Sequence, residues 1–142
     1  MEKVKIRSYR DSDYLDVKRN LQEGGLYNKD CDKRERLRKK VQKDPNSIIV
    51  AIVDGKVVGN VYIVAEPWCA FIFRLAVRKK YGKQGIGSLL LEEAEKMLRK
   101  TGVKWVSVFV EDAKQDLKNY YSKRGYVPAK QYRCMDKNLK DI

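Results

Sequence analysis

Residues Arg78 to Leu90 read RKKYGKQGIGSLL and decide how the chain is organised on either side of them. Before this stretch, Cys69 to Val77 is a nearly continuous apolar run, the pattern of a strand covered on both faces. After it, Ile86, Leu89, Leu90, Ala94, Met97 and Leu98 recur at helical spacing, with Glu92, Glu93, Glu95 and Lys96 on the other face and Gly102 as a C-terminal stop. Val103 to Val110 is a further apolar strand, so the stretch connects a strand to a helix that crosses over to a parallel neighbour. The turn itself is glycine-rich and cationic. Unpaired amides at the helix start and the positive end of the helix dipole make an anion site. Gly85 and Gly87 allow a backbone nest, and Arg78, Lys79, Lys80 and Lys83 add charge, so a diphosphate is the natural ligand. Two common phosphate motifs fail: no glycine precedes Lys and Ser or Thr as GxxxxGK[ST] requires, and Leu90 occupies the third glycine position of GxGxxG. Read alone, the turn also fits a plain strand-to-helix connection whose glycines serve packing.

Working outward, Lys3 to Ser8 reads as a first strand, and Asp11 or Ser12 caps a helix through Tyr14, Leu15, Val17 and Leu21 that Gly24-Gly25 ends. Asp30 or Asp32 is the expected cap of a strongly basic helix, Lys33 to Lys43. Ser47 to Val53 and Lys56 to Ala65 flank Asp54-Gly55, a two-residue hairpin signal. Toward the C-terminus, Ala113 to Arg124 reads as a last helix, and Tyr126-Val127 with Cys134 to Leu139 as a closing strand pair.

The 142 residues fit one domain, and 43% hydrophobic with 36% charged residues is a soluble globular composition. No apolar run approaches the roughly 18 residues of a membrane span, and MEKVKIRSYR lacks the apolar centre of a signal peptide, so a cytoplasmic location without membrane association is expected. The three cysteines, Cys31, Cys69 and Cys134, form no CxxC pair and are expected to be buried small hydrophobes. Histidine is absent, which excludes Ser-His-Asp and Cys-His catalysis and HExxH zinc sites; no metal is expected. A net charge of +13 points to anionic partners.

The order of elements and two segments resemble the GNAT superfamily of N-acetyltransferases. RLAVRKKYGKQGIGSLLLEEAEKML is similar to its acetyl-CoA pyrophosphate-binding segment, and LKNYYSKRGYVPAK to its later tyrosine segment. The resemblance covers essentially the whole chain and implies a single α+β (α/β) N-acetyltransferase domain over 1–142. Its sheet would be mixed, mostly antiparallel, with six to seven strands and a parallel splayed pair at the cofactor, flanked by about four helices. It implies an acyltransferase that passes acetyl from acetyl-CoA to a primary amine in a ternary complex.

Carried over by residue, the resemblance assigns the backbone of Leu75, Ala76 and Val77 to the pantetheine arm and the loop from Gly82 through Lys83, Gln84, Gly85, Ile86, Gly87 and Ser88 to the pyrophosphate. Gly82 stands where the family has Gln or Arg, leaving Lys83 or Gln84 to substitute. Lys114 stands where the family often has an asparagine on the cofactor side. Tyr121 matches the tyrosine that protonates the leaving thiolate. The usual base position on the central strand holds Phe73, followed by Arg74, so Glu111 and then Glu66 are the expected substitutes, each reaching the amine through water.

The acceptor groove would be framed by Tyr27, Asn28, the basic helix, Trp68 and residues 126–132. Its charge favours an acidic, phosphate-bearing, peptide, protein or ribosomal acceptor over a polyamine. The alternative is a basic nucleic-acid- or ribosome-binding module that uses the fold without catalysis, docking through Lys33, Arg34, Arg36, Arg38, Lys39, Lys40 and Lys43. Oligomeric state is left open.

Overall fold

The computed structural model describes residues 3–140, in two compact units, Met1–Val108 and Phe109–Ile142. In the first unit the chain runs β1 (Lys5–Ser8), α1 (Tyr14–Glu23), α2 (Arg34–Lys43), β2 (Ile48–Val53), β3 (Lys56–Glu66), β4 (Cys69–Val77), α3 (Ile86–Lys100) and β5 (Val106–Ser107). The five strands form one sheet in sequence order, antiparallel from β1 to β4 and parallel between β4 and β5. Asp54 and Gly55 both take positive φ, 50° and 73°, as the β2–β3 hairpin requires.

β3 rather than β4 carries the long buried run, with residues 57–63 buried in succession. Tyr14, Val17 and Leu21 of α1 and Leu37 of α2 pack with Val50, Val57, Tyr62 and Ala76 of the sheet. Separately, α3 buries Ile86, Leu90, Leu91, Ala94 and Leu98 against β2, β3 and β4. Gly59 makes that approach feasible: a Cβ there would lie 3.0 Å from Leu90 Cδ1 and 3.2 Å from the Ala76 carbonyl. The start of α1 is fixed by Asp13, whose buried carboxylate accepts from the Arg10 amide at 2.8 Å and pairs with the Arg7 guanidinium at 2.7 Å.

The second unit holds α4 (Gln115–Ser122), closed by Gly125 at φ 88°. The expected closing strands at 126–127 and 134–139 do not form among the described residues. Pro128 lacks a ladder donor, and Val127, Met135 and Leu139 stay largely exposed instead of alternating between faces. The sheet therefore has five strands among the described residues where six to seven were expected, with four helices as expected. The expected strand over 103–110 shrinks to Val106–Ser107, since β4 offers a parallel partner only at Ala70 and Phe71. The cysteines also depart from expectation: Cys31 and Cys134 are exposed and Cys69 is half-buried, Cys31 in a turn, Cys69 beside one and Cys134 in irregular chain. No helix among the described residues is long and apolar enough to cross a membrane.

Candidate active site

The bulge in β4 organises the site. Asn60 pairs with Ala76 and Tyr62 with Phe73, so Val61 faces two residues, Arg74 and Leu75, and Arg74 takes φ 55°. A non-glycine residue in that region is strained and persists only where neighbours hold it. Here the hold is a buried polar chain. The Asn60 amide donates to the Arg74 carbonyl at 2.9 Å, and Asn20 of α1 donates to Asn60 Oδ1 at 3.1 Å. Arg78 in turn donates to Asn20 Oδ1 at 3.1 Å, to the Val57 carbonyl at 3.1 Å and to Asp16 at 3.2 Å. Asn20 and Asn60 are completely buried, so each bond replaces one that water would otherwise supply. Arg78, expected among the cations of the anion site, is instead turned inward as a strut between α1, β3 and β4.

β4 has lost its β5 partner before the bulge is reached. Among the described residues the parallel ladder ends at Phe71–Ser107, so the edge of β4 at Leu75, Ala76 and Val77 faces no neighbouring strand on that side. The chain then enters a 3-10 turn at Lys79–Tyr81, anchored where the Lys79 amide donates to Glu23 at 2.8 Å. Lys83 (φ 60°) and Gly85 (φ 81°) are both left-handed, which folds the backbone back before α3 begins at Ile86. Gly85 is the N-cap and no side chain caps the helix, so the first-turn amides of Ile86 and Gly87 have no intrahelical acceptor. Lys79, Lys80, Lys83 and Gln84 are exposed around this turn. Gly82 is extended (φ −67°, ψ 162°), and a Cβ there would lie 3.2 Å from the Lys79 carbonyl, so its departure from the usual Gln or Arg goes with a tight turn. The residues thus fit a diphosphate-bearing ligand with an amide-rich tail: an open strand edge leads into an uncapped helix start.

A side-chain cluster lies on the α1–α2 side of the bulge. Phe73 packs on the core beneath those helices, and Arg74 Nε donates to Asp32 at 3.2 Å, so consecutive residues serve one face. Asp32, expected as a helix cap, is 1% exposed and also accepts the Asn28 amide at 2.9 Å; Lys33 is the N-cap of α2 instead. Tyr14 donates to the Asp32 carbonyl at 2.9 Å. Tyr62 meets Phe73 edge-on at 5.4 Å, and its buried hydroxyl has no hydrogen-bond partner among the described residues. Burial pushes that phenol far above its ordinary value, with the Asp32 charge adding to the rise. Lys40 of α2 seats its ammonium 5.3 Å from the Phe73 ring and 5.9 Å from the Tyr62 ring, donating to the Ile63 carbonyl at 2.6 Å. Burial lowers its pKa to about 8, with Asp44 opposing and Lys43 assisting the shift.

The remaining expected site residues fall as follows. Glu66 is exposed at the end of β3 opposite Cys69, five residues along β4 from Arg74, or about 16 Å of strand. It is not brought to the bulge. In the second unit, Glu111 is exposed and pairs with Lys114 at 3.6 Å, and Lys114 is the N-cap of α4. Tyr121 is 8% exposed, flanked edge-on by Tyr120 at 5.3 Å and Tyr126 at 5.4 Å. Burial raises its pKa to about 12, with Tyr120 adding and Arg124 opposing.

Residues 12–126 match the model of the acetyltransferase (GNAT) family. The chain belongs to the GNAT family. As a GNAT acyltransferase it is similar in fold to Ard1 from Thermoplasma volcanium, at 23% identity and a TM-score of 0.78 over 87% of this chain and 82% of that one. It is also similar to the PaiA N-acetyltransferase from Thermoplasma acidophilum in complex with coenzyme A, at 22% identity and 0.74 over 87% and 89%. A GNAT-family acetyltransferase from Streptococcus pneumoniae matches at 25% identity and 0.73 over 88% and 84%.

The features of this site that the sequence did not reveal are the side-chain ones. Asn60 carried a signal, a polar residue inside the apolar run VVGNVYIV, as did Asn20 on the buried stripe with Val17 and Leu21. Nothing local marked Asp32, Lys40 or Tyr62, which three separate segments bring together. The basic helix is also less available than its composition suggests. Arg34 and Arg38 both bind Asp11, Lys39 pairs with Glu35, and Lys40 is half-buried.

Proposed function

We propose that the whole chain works as one N-acetyltransferase domain, taking acetyl-CoA and passing its acetyl group to a primary amine in a ternary complex. The observation that carries this is the open β4 edge at Leu75–Val77 running into the uncapped start of α3. The coenzyme A complex of the PaiA N-acetyltransferase, similar in fold, supports the same choice of cosubstrate.

Acetyl-CoA supplies an activated thioester. Leu75, Ala76 and Val77 would bond the amide-bearing arm along the strand edge, and the amides of Gly82 to Ser88 would hold the pyrophosphate, with Lys79, Lys80 and Lys83 supplying charge. The buried Asn20–Asn60–Arg78 chain keeps the bulge in place, so the strand-edge donors are oriented before substrate arrives. The acceptor ammonium first gives a proton to solvent, directly or through Glu111. Its neutral nitrogen then forms the C–N bond as the C–S bond breaks. Tyr121, with a pKa of about 12, stays protonated at neutral pH and would give its proton to the leaving sulfur, regaining one from the nitrogen or solvent.

The test is calorimetric titration with coenzyme A and acetyl-CoA, followed by turnover of Tyr121→Phe. Saturable one-to-one binding and a turnover reduced about 100-fold or more at unchanged cofactor affinity are expected. Absence of binding would overturn the reading. An unchanged rate would remove Tyr121 from its role.

A further inference from the structure

Resting on that reading, we infer that the acceptor amine carries a carboxylate close to its nitrogen, and that Arg74, Lys40 and the Tyr62 hydroxyl receive it on the α1–α2 side of the β4 bulge.

Arg74 is the first support. Its Nε is engaged by Asp32, while Nη1 and Nη2 make no hydrogen bond to any described residue. The side chain is 23% exposed and held at Nε by Asp32, which leaves the two-nitrogen end of the guanidinium, the arrangement that suits a two-oxygen anion. Its backbone adjoins Leu75, the first residue of the strand edge assigned to the cosubstrate. An anion held by Arg74 therefore lies next to the acetyl-transfer position, which requires the amine and carboxylate to be near neighbours in the acceptor.

The second support is independent of Arg74. Tyr62 is only 3% exposed, and its hydroxyl makes no hydrogen bond of good geometry among the described residues, the Asp32 carboxylate being the acceptor nearest in influence. A native interior seldom leaves such a donor unused, and here the carboxylate of an acceptor supplies the missing acceptor atom. Lys40 is the third support: its ammonium rests on the same Tyr62–Phe73 ring pair and adds a second positive charge. The only carboxylate in the cluster, Asp32, is buried and already accepts from Arg74 and the Asn28 amide. A polycationic amine would meet the cations of Arg74 and Lys40, so the cluster selects against polyamines as well as for acids.

The experiment compares acetylation of β-alanine, glutamate and a dipeptide acid with the corresponding amides, and with phosphoethanolamine and spermidine, under saturating acetyl-CoA. Each acid is expected to exceed its amide at least tenfold in kcat/KM, with spermidine lowest. Arg74→Gln should raise KM for the acid at least tenfold and for the amide less than threefold. Because Arg74 sits at positive φ, Tyr62→Phe is the second variant. It removes only an unpartnered hydroxyl, so thermal stability should not fall, while the acid-to-amide ratio should drop severalfold; a merely structural Tyr62 would leave that ratio unmoved. Lys40→Met should lower the ratio as well. Equal turnover of acids and amides, no acid acetylated faster than its amide, preference for spermidine, or a ratio unchanged in all three variants would overturn the inference. Phosphoethanolamine turned over faster than β-alanine would overturn the carboxylate assignment. Coenzyme A titrations on the same preparations separate the two layers: loss of cofactor binding defeats the acetyltransferase reading, whereas intact binding without acid selectivity defeats this inference alone.

Discussion

The two sides of the β4 bulge are built from different materials. On the proposed cofactor side, Leu75 to Ser88 is one continuous segment whose proposed role rests on backbone groups: an open strand edge, two left-handed residues and a helix start with no side-chain cap. On the α1–α2 side, Asp32 of the loop before α2, Lys40 of α2, Tyr62 of β3 and Arg74 of β4 come together through their side chains. Backbone-built sites tolerate changes of side chain but not of conformation, while the reverse holds for the cluster.

The largest effect is expected at the strut joining both sides. Arg78→Ala removes a nearly buried cation, leaving Asn20 Oδ1 and the Val57 carbonyl short of a donor; a loss of about 2–3 kcal/mol is expected in urea denaturation, with weaker coenzyme A binding as the bulge relaxes. Gly85→Val comes next. A β-branched residue at φ 81° carries strain of roughly 1–3 kcal/mol, and coenzyme A affinity should fall at least tenfold although Gly85 offers no side chain to lose. Gln84→Ala, in the same turn, should change affinity by less than threefold if, as proposed, backbone amides make the contact. Equal losses at Gly85 and Gln84 would erase the contrast.

Much of this contrast was legible beforehand for a physical reason. The β4 run, the glycine turn and the α3 stripe are local patterns, and β4 and the start of α3 lie where the pattern puts them. The strand shortened to Val106–Ser107 and the missing closing pair depend on what partner each strand finds, which a local pattern does not encode. Arg78 illustrates the limit within a single residue: its charge was legible, its direction was not, because the carboxylate and amide it serves lie about sixty positions earlier on α1. Lys40 was counted with a solvated basic helix, although the fold places it against Tyr62 and Phe73.

A smaller effect sharpens the side-chain half. The folded-state pKa of Lys40, about 8, lies below the 10.5 of an ordinary lysine. Below pH 8 both folded and unfolded chains hold the proton and Lys40 adds no slope. From there toward 10 the unfolded chain holds more protons, so Lys40 makes stability rise with pH. Tyr9, Tyr14, Tyr62 and Tyr121, all raised, act in the opposite sense above about pH 10. Denaturation at pH 7.5 and 9.5 should therefore show a gain in the wild-type protein that Lys40→Met reduces, and the acceptor KM should rise through about pH 8 in the wild type alone.

The most direct measurement of the central claim is titration calorimetry with coenzyme A against pantetheine, which lacks the pyrophosphate, on wild-type protein and Gly85→Val. The account predicts one-to-one binding of coenzyme A to the wild type, at least tenfold tighter than pantetheine, with that advantage largely lost in Gly85→Val. Equal affinity for the two compounds, or an advantage untouched by the substitution, would contradict it.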